Sequence, residues 1–303
     1  MGRSAVHVLV GYDGSLPSGA AIESCGRLLP AAHAQVAHLW TPPFASEQLR
    51  RRLWRGTRQV DAFVAAVERE GQRESDRIAA MGVTLAQAAG WTAEPTTVRC
   101  YGGEGFALTQ LARKVDADLL LVGSRGLGGA RAVLGSASDM VVHYATQPVL
   151  VAPYPLLAAD ADALAQGPVL VAWDGSAGAS DALDGAVRFW PQRQILLTSV
   201  DYEVEPPASP AQHQMTVLRI NSRHEGSAAA VADALAAAAR EHGAAVIVLG
   251  SRGRSALREI TLGSVAMSTL HRAYRMVMIV HDHDDTPPQP ARDGEQQGWP
   301  VAS

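Results

Sequence analysis

The chain has 303 residues, 47% of them hydrophobic and 18% charged, with a formal net charge of −4. That apolar share excludes global disorder, and the length fits about two domains. Weak acidity offers no basic face for duplex nucleic acid, and 5% aromatics make no stacking platform for single strands. No stretch approaches the roughly 18 uninterrupted apolar residues of a membrane span. The first apolar run ends at Gly11, too short for a signal-peptide core. Two cysteines, Cys25 and Cys100, do not make a disulfide scaffold, read as core residues and point to a reducing, cytoplasmic setting.

In chain order, short Val/Leu/Ile runs at 6–11, 34–40, 96–101, 118–123 and 148–152 predict fully buried strands. Helices are expected between them over 17–30, 46–80, 104–115 and 136–145. The long one carries Leu49, Leu53, Val60, Phe63, Val64 and Val67 at helical spacings. Its run Arg50, Arg51, Arg52, Arg55 and Arg58 reads as a solvated face or an interface. Residues 156–167, within the stretch YPLLAADADALAQGP, read as a linker. Strands then recur at 168–173, 194–200, 215–220, 245–250 and 276–280, with an Ala-rich helix over 226–242 stopped by Gly243. Continuous apolar strands alternating with helices predict a parallel α/β sheet. The polar, Pro-rich end 283–303 reads as a disordered tail. Residues 281–303 hold five acids against one Arg, so the rest of the chain is near neutral and any phosphate affinity must be local.

The chain also repeats itself. VLVGYDGS (8–15) returns as VLVAWDGS (169–176), ADLLLVGSRG (117–126) as AAVIVLGSRG (244–253), VLGSAS (133–138) as TLGSVA (261–266), and QPVLVAP (147–153) is echoed by YRMVMIVH (274–281). Four matches in one order mean a duplicated domain, with units 1–155 and 168–282. Asp13 precedes Gly123 by 110 residues, but Asp174 precedes Gly250 by only 76. The second unit is therefore 34 residues short, about one helix with its loops. The segment EVEPPASPAQH (203–213) stands in the helix's place, and its three prolines forbid a long helix. The bared sheet face is expected to be covered by the first unit, by a symmetry mate or by 203–213, unless the unit's third strand shifts or reverses.

The segment GSRGLGGARAVLGSAS (123–138) leaves a buried strand and enters a helix through glycines. Glycines allow close backbone approach, and helix N-terminal N–H groups attract anions. Ser136 is placed to cap that helix or to donate to a phosphate oxygen. GSRGRSALREITLGSV (250–265) repeats the plan with Gly250, Gly253, Gly263 and Ser264. Such a loop alone is often only a tight turn. Two copies, each paired with an aspartate at the end of a first strand, point to ligand binding. Asp13 and Asp174 in Asp-Gly-Ser read as Asx-turns or as carboxylates facing a crevice, and both readings stand together.

These residues resemble the universal stress protein family in its tandem form, over nearly all of 5–281. The resemblance implies two Rossmann-like domains, each with five parallel strands ordered 3-2-1-4-5 and flanking helices, the second lacking helix 2. Pairing through strand 5 is implied too, as an intrachain pseudo-dimer or a homodimer. The family's ATP-binding branch implies an adenine nucleotide, ATP with or without Mg2+, and a regulatory role in stress response with an unidentified protein partner. Carried over, Asp13 and Asp174 would meet the adenosine, and Leu39 and Ser199 would line the adenine pocket beside Gly11 and Ala172. Gly123, Gly126, Gly135 and Ser136, and in the second unit Gly250, Gly253, Gly263 and Ser264 with Val265, would hold ribose and phosphates. Eight residues separate Gly126 from Gly135 where the family has nine; Gly253 and Gly263 keep nine. Loop length therefore favours the second unit. The first keeps Ser138 as an extra hydroxyl where the second has Ala266.

No GxxxxGK[ST] and no first-strand G-x-G-x-x-G occurs, so P-loop and dinucleotide readings fall away. Arg125 and Arg252 are the cations nearest the loops and read equally as surface residues; His281, Asp282, His283 and Asp284 read as a solvated end, not metal ligands. No nucleophile and base pair is visible, so efficient ATP hydrolysis is not expected. A slow ATP hydrolase and a nucleotide-free interaction scaffold remain the competing readings.

Overall fold

The computed structural model describes residues 5–42, 60–124, 134–156, 158–207, 214–223, 226–253 and 262–281. In chain order the first half comprises β1 (Val6–Gly11), α1 (Leu16–Leu28), β2 (Ala32–Trp40), α2 (Val60–Ala88), β3 (Thr92–Arg99), α3 (Glu104–Lys114), β4 (Leu119–Gly123), α4 (Ser136–Tyr144) and β5 (Val149–Ala152). Then follow α5 (Ala158–Gln166), β6 (Val169–Ala172), α6 (Ala177–Phe189), β7 (Ile195–Val200), β8 (Met215–Ile220), α7 (Ala228–Glu241), β9 (Val246–Gly250), α8 (Ser264–Arg272) and β10 (Met276–Val280).

One sheet of ten strands runs β3-β2-β1-β4-β5-β10-β9-β6-β7-β8. Each half has the order that the family resemblance implies, 3-2-1-4-5, and pairs in parallel throughout. The halves join at β5 and β10, the antiparallel pair, with Met278 opposite Leu150. The central strands LLLVG, VIVLG and MVMIV are buried on both faces, as parallel strands under helices must be. The outermost strand β3 is the one that tolerates a proline, Pro95. Right-handed crossovers distribute the helices between the two faces. Residues of α1, α2, α5 and α6 pack into one core layer, and those of α3, α4, α7 and α8 into the other.

Two sequence expectations change in the structure. The helix predicted over 46–80 is described from Val60 to Ala88, and residues 43–59, with the Arg run, lie outside the described residues. The expected linker contains the helix α5, which buries Leu164 in the core and packs on α1. Its Ala-rich stretch outweighs the local Pro and Asp because a neighbouring face is available to bury Leu164. Arg193 binds it in place, donating to the carbonyl oxygens of Leu164 (2.8 Å), Ala165 (3.0 Å) and Gly167 (3.1 Å), and to Leu28 of α1 (3.2 Å).

As the spacing of the second unit predicts, no helix appears between β7 and β8 among the described residues, and β8 neither shifts nor reverses but pairs in parallel with β7. In the first half α2 covers this face, so closely that a β-carbon on Gly82 would stand 2.7 Å from Tyr12 and Val36. In the second half Trp173 takes the place of Tyr12 and donates its indole N–H to the Glu205 carbonyl (3.2 Å), while Val204 packs on the core. The loop after β7 thus covers part of the face, and Val217 on β8 stays 38% exposed.

Candidate functional site

Both crevices are built in the same way. β4 lies beside β1 and β9 beside β6, so the Asp-Gly-Ser turn after the first strand of each half borders the glycine segment after the fourth. Gly14 and Gly175 hold φ of +80° and +77°, the left-handed region where glycine costs least. Each turn leads straight into a helix. Ser15 and Ser176 are the N-caps, accepting from the N–H groups of Ser18 (3.4 Å) and Ala179 (3.2 Å).

The aspartates sit one shell behind these caps. Asp13 Oδ1 accepts from the Ser15 N–H (3.0 Å), the Ser15 hydroxyl (2.5 Å) and the Ser18 hydroxyl (2.7 Å). Asp174 Oδ1 accepts from the Ser176 N–H (3.0 Å) and hydroxyl (2.5 Å). The Asx-turn reading is therefore realised in both halves. Partial burial pushes the Asp13 carboxyl up, but the hydrogen bonds from Ser15 and Ser18 prevail and hold it below its ordinary value. A carboxyl depressed by folding supplies stability that is complete above about pH 4 and is lost as pH falls through the lower folded value. Urea unfolding of wild type and Asp13→Asn should show the largest difference near neutral pH, shrinking steadily as pH is lowered. A difference that does not change with pH would refute this.

The glycines act through close approach. A β-carbon on Gly123 would stand 2.8 Å from the Pro17 carbonyl oxygen, and one on Gly250 would run into the Gly178 carbonyl. The first turns of α1 and α6 thus lie directly on the ends of β4 and β9. One on Gly253 would meet Asp174 Oδ2 at 2.8 Å, so this carboxylate lies against the loop backbone across the crevice. Gly11 is closed by Leu108 (2.8 Å), and Ala172 is half-buried. Gly126 and Arg125, in the segment 125–133, and the segment 254–261 lie outside the described residues, as do Asp282, His283, Asp284 and the rest of the tail.

Ser136 does not cap α4. Gly135 holds the extended cap conformation (φ −67°, ψ 155°), which leaves Ser136 already helical. Gly263 does the same for Ser264 and α8 (φ −71°, ψ 153°), and neither helix receives a side-chain cap. Ser136 and Ser264 are exposed and Val265 is half-buried. Ser138 spends its hydroxyl on the Gly123 carbonyl (2.8 Å), tying α4 to β4 rather than remaining a spare donor.

Leu39 and Ser199 are not counterparts. Val8 pairs with Ala34 and Val169 with Ile195, so Ser199 matches His38, and Val200 matches Leu39. With side chains alternating across a strand, Leu39 and Ser199 face opposite sides of the sheet. Leu39 packs with the layer of α3 and α4, while Ser199 is buried with no partner for its hydroxyl. The motif reading also missed Ser124 and Ser251. Both follow the fourth strand in the repeated Gly-Ser-Arg-Gly, a signal present in the repeat itself. Ser124 accepts from the Tyr154 N–H (3.1 Å), whereas Ser251 is fully buried and its hydroxyl has no partner. His281 is buried at the seam, its ring nitrogens 2.9 Å and 3.2 Å from the carbonyls of Val142 and Gln147.

The sequence model of the Universal stress protein family matches residues 6–153 and 219–281. The chain belongs to the Universal stress protein family. A universal stress protein of Mycolicibacterium smegmatis (strain ATCC 700084 / mc(2)155) is 29% identical over 301 residues, 90% of this chain and 96% of that relative. The fold is similar to that of a universal stress protein from Archaeoglobus fulgidus DSM 4304, with a TM-score of 0.63 and 19% identity over 92% of this chain and 99% of that one. It is also similar to a functionally unknown protein from Pseudomonas aeruginosa PAO1 (TM-score 0.53, 12% identity, 93% of this chain and 94% of that one). The second family match begins inside β8, yet β6, α6 and β7 complete a second universal stress protein sheet ahead of it. Among the described residues no helix is long and apolar enough to cross a membrane.

Proposed function

We propose that this universal stress protein binds an adenine nucleotide, ATP, in the crevice of its second half and acts as a regulator rather than as a catalyst. The observation that carries this reading is the meeting of Asp174 with Gly253: the acid after β6 lies against the glycine after β9, where an added β-carbon would stand 2.8 Å from Asp174 Oδ2. Beside them α8 begins without a side-chain cap, and its N-terminal N–H groups attract phosphate. The buried hydroxyl of Ser251, directly after β9, lacks a partner and fits a ligand rich in donors and acceptors. Asp174 would hold the ribose, Gly253, Gly263 and Ser264 the phosphates, and Ala172 the base end. Mg2+ would enter on the phosphates, since no cluster of three His, Cys, Asp or Glu among the described residues could hold a metal. The setting is the cytosol, and both cysteines are free and buried. A nucleotide that favours one of two conformations would bias the binding of a protein partner.

Calorimetry with ATP tests this. Asp174→Ala and Gly253→Ala should each weaken binding about 10-fold or more, as expected when a charged hydrogen bond is lost. The corresponding change at Asp13 should weaken it less. Absence of heat with ATP, or full affinity in both second-half variants, would overturn the reading.

A further inference from the structure

β8 ends the sheet on one side and β3 on the other, and the two outer edges are finished differently. The N–H groups of Ile195 and Asp201 donate to the carbonyls of Gln214 (2.9 Å) and Ile220 (3.0 Å), so the even-numbered residues of β8 turn their backbone groups toward β7. Backbone direction alternates along a strand, so Met215, Val217 and Arg219 turn their N–H and C=O groups outward. Among the described residues no strand pairs with that side. An open row of donors and acceptors is a template for another strand.

Proteins blunt such edges with proline, charge or a covering helix, and β3 shows both a proline and a helix. The Cys100 N–H donates to the Trp40 carbonyl (2.9 Å), so Pro95 lies among the outward-turned residues of β3 and removes a donor from the middle of that edge. α2 leans over it, with Gln72 donating to the Thr97 hydroxyl (2.7 Å) and Glu68 accepting from Arg99 (2.6 Å). β8 has no proline, and among the described residues no helix stands between β7 and β8 to cover it. Its one charge, Arg219, is already paired with Glu203 (2.7 Å). Thr216, Val217 and Arg219 are all exposed.

We propose that two copies of this chain dimerise through β8, paired antiparallel about a two-fold axis at Val217. A two-fold contact needs a surface that complements itself, and β8 does so in this register. Val217 lies opposite its own copy and Arg219 opposite Met215 of the second copy, with all of them on the sheet face that α2 covers in the first half. Centring the pair on Arg219 instead would set like charges face to face. Because β3 is blunted, the pairing stops at two copies rather than growing into a filament. The interface lies outside both crevices and does not rest on the nucleotide reading.

Sedimentation velocity of the full chain without nucleotide, over a concentration series, is the test. A reversible dimer with no larger species is expected. Val217→Lys and Val217→Glu should each weaken association about 100-fold or more, since each sets like charges opposite one another at the axis. An equimolar mixture of the two variants should restore the dimer, which also shows that both are folded. Val217→Pro removes an outward N–H while leaving the bonds to β7 in place, and should be monomeric as well. Glu94→Lys, on β3, should leave the dimer unchanged. The proposal is overturned by a chain that stays monomeric, by assemblies larger than a dimer, by a dimer that survives Val217→Lys, or by a mixture that does not recover it.

Discussion

Asp160→Ala is expected to lower the unfolding free energy by about 3–5 kcal/mol, the usual cost of stranding one member of a buried ion pair. Asp160 of α5 lies 2.7 Å from Arg275, and the two side chains are 5% and 6% exposed. Burial draws the Arg275 guanidinium below its ordinary value, and the Asp160 charge restores part of that. Arg275 also donates to the Ala244 carbonyl, so the pair ties α5, the start of β9 and the start of β10 together. Arg275 Nε and Asp160 Oδ2 have no partner, so the pair is not fully satisfied. The double change Asp160→Leu with Arg275→Met should therefore recover most of the loss, because well-packed apolar residues often replace a buried pair without penalty. Urea unfolding of the two single variants and the double closes the cycle. A cost below about 1 kcal/mol for Asp160→Ala, typical of an exposed pair, would show that α5 is not pinned in this way.

Gly250→Val should remove both stability and nucleotide binding in the second half. Its β-carbon would enter the space of the Gly178 carbonyl, carbon and Cα, all of them backbone, so relief requires α6 to lift from β9. Overpacking a closed core typically costs about 1–3 kcal/mol and more where backbone must move. Lifting α6 would also displace Ser176 and the Asp174 it binds, so ATP affinity should fall below detection. Gly253→Ala provides the contrast: its β-carbon meets only the carboxylate end of Asp174, so affinity should fall while the melting temperature holds. The two variants together separate a fold effect from a site effect. A Gly250→Val protein with wild-type stability and ATP affinity would remove the close approach from the argument.

Much of this arrangement is legible from residues alone. The apolar segments predicted the strand runs within a few residues, because buried parallel strands are written as uninterrupted apolar runs, while the order within each half came from the family resemblance. The shortened second unit was legible from the Asp-to-Gly spacing and the prolines of 203–213. The roles of individual hydroxyls were not. Ser136 lost its capping role to Gly135 through one residue's backbone angles, and Ser138 is consumed by the Gly123 carbonyl. The match of Leu39 with Ser199 failed by a single position, and in a strand one position reverses the face. Ser251 escaped notice because a serine inside Gly-Ser-Arg-Gly reads as turn chemistry until its burial is known.

By itself the sequence determined the duplication, the parallel α/β class and the pairing of an acid with a glycine loop in each copy, since periodicity and repeated motifs are local properties carried by each segment. Only the tertiary structure decided that the two copies form one ten-stranded sheet through an antiparallel β5–β10 seam, and that the expected linker is a helix held by Arg193 and Asp160. It also decided that Asp174 lies against Gly253. The physical reason is the same in each case. These are contacts between residues far apart in the chain, and their free energy depends on burial and direction, which no local pattern records.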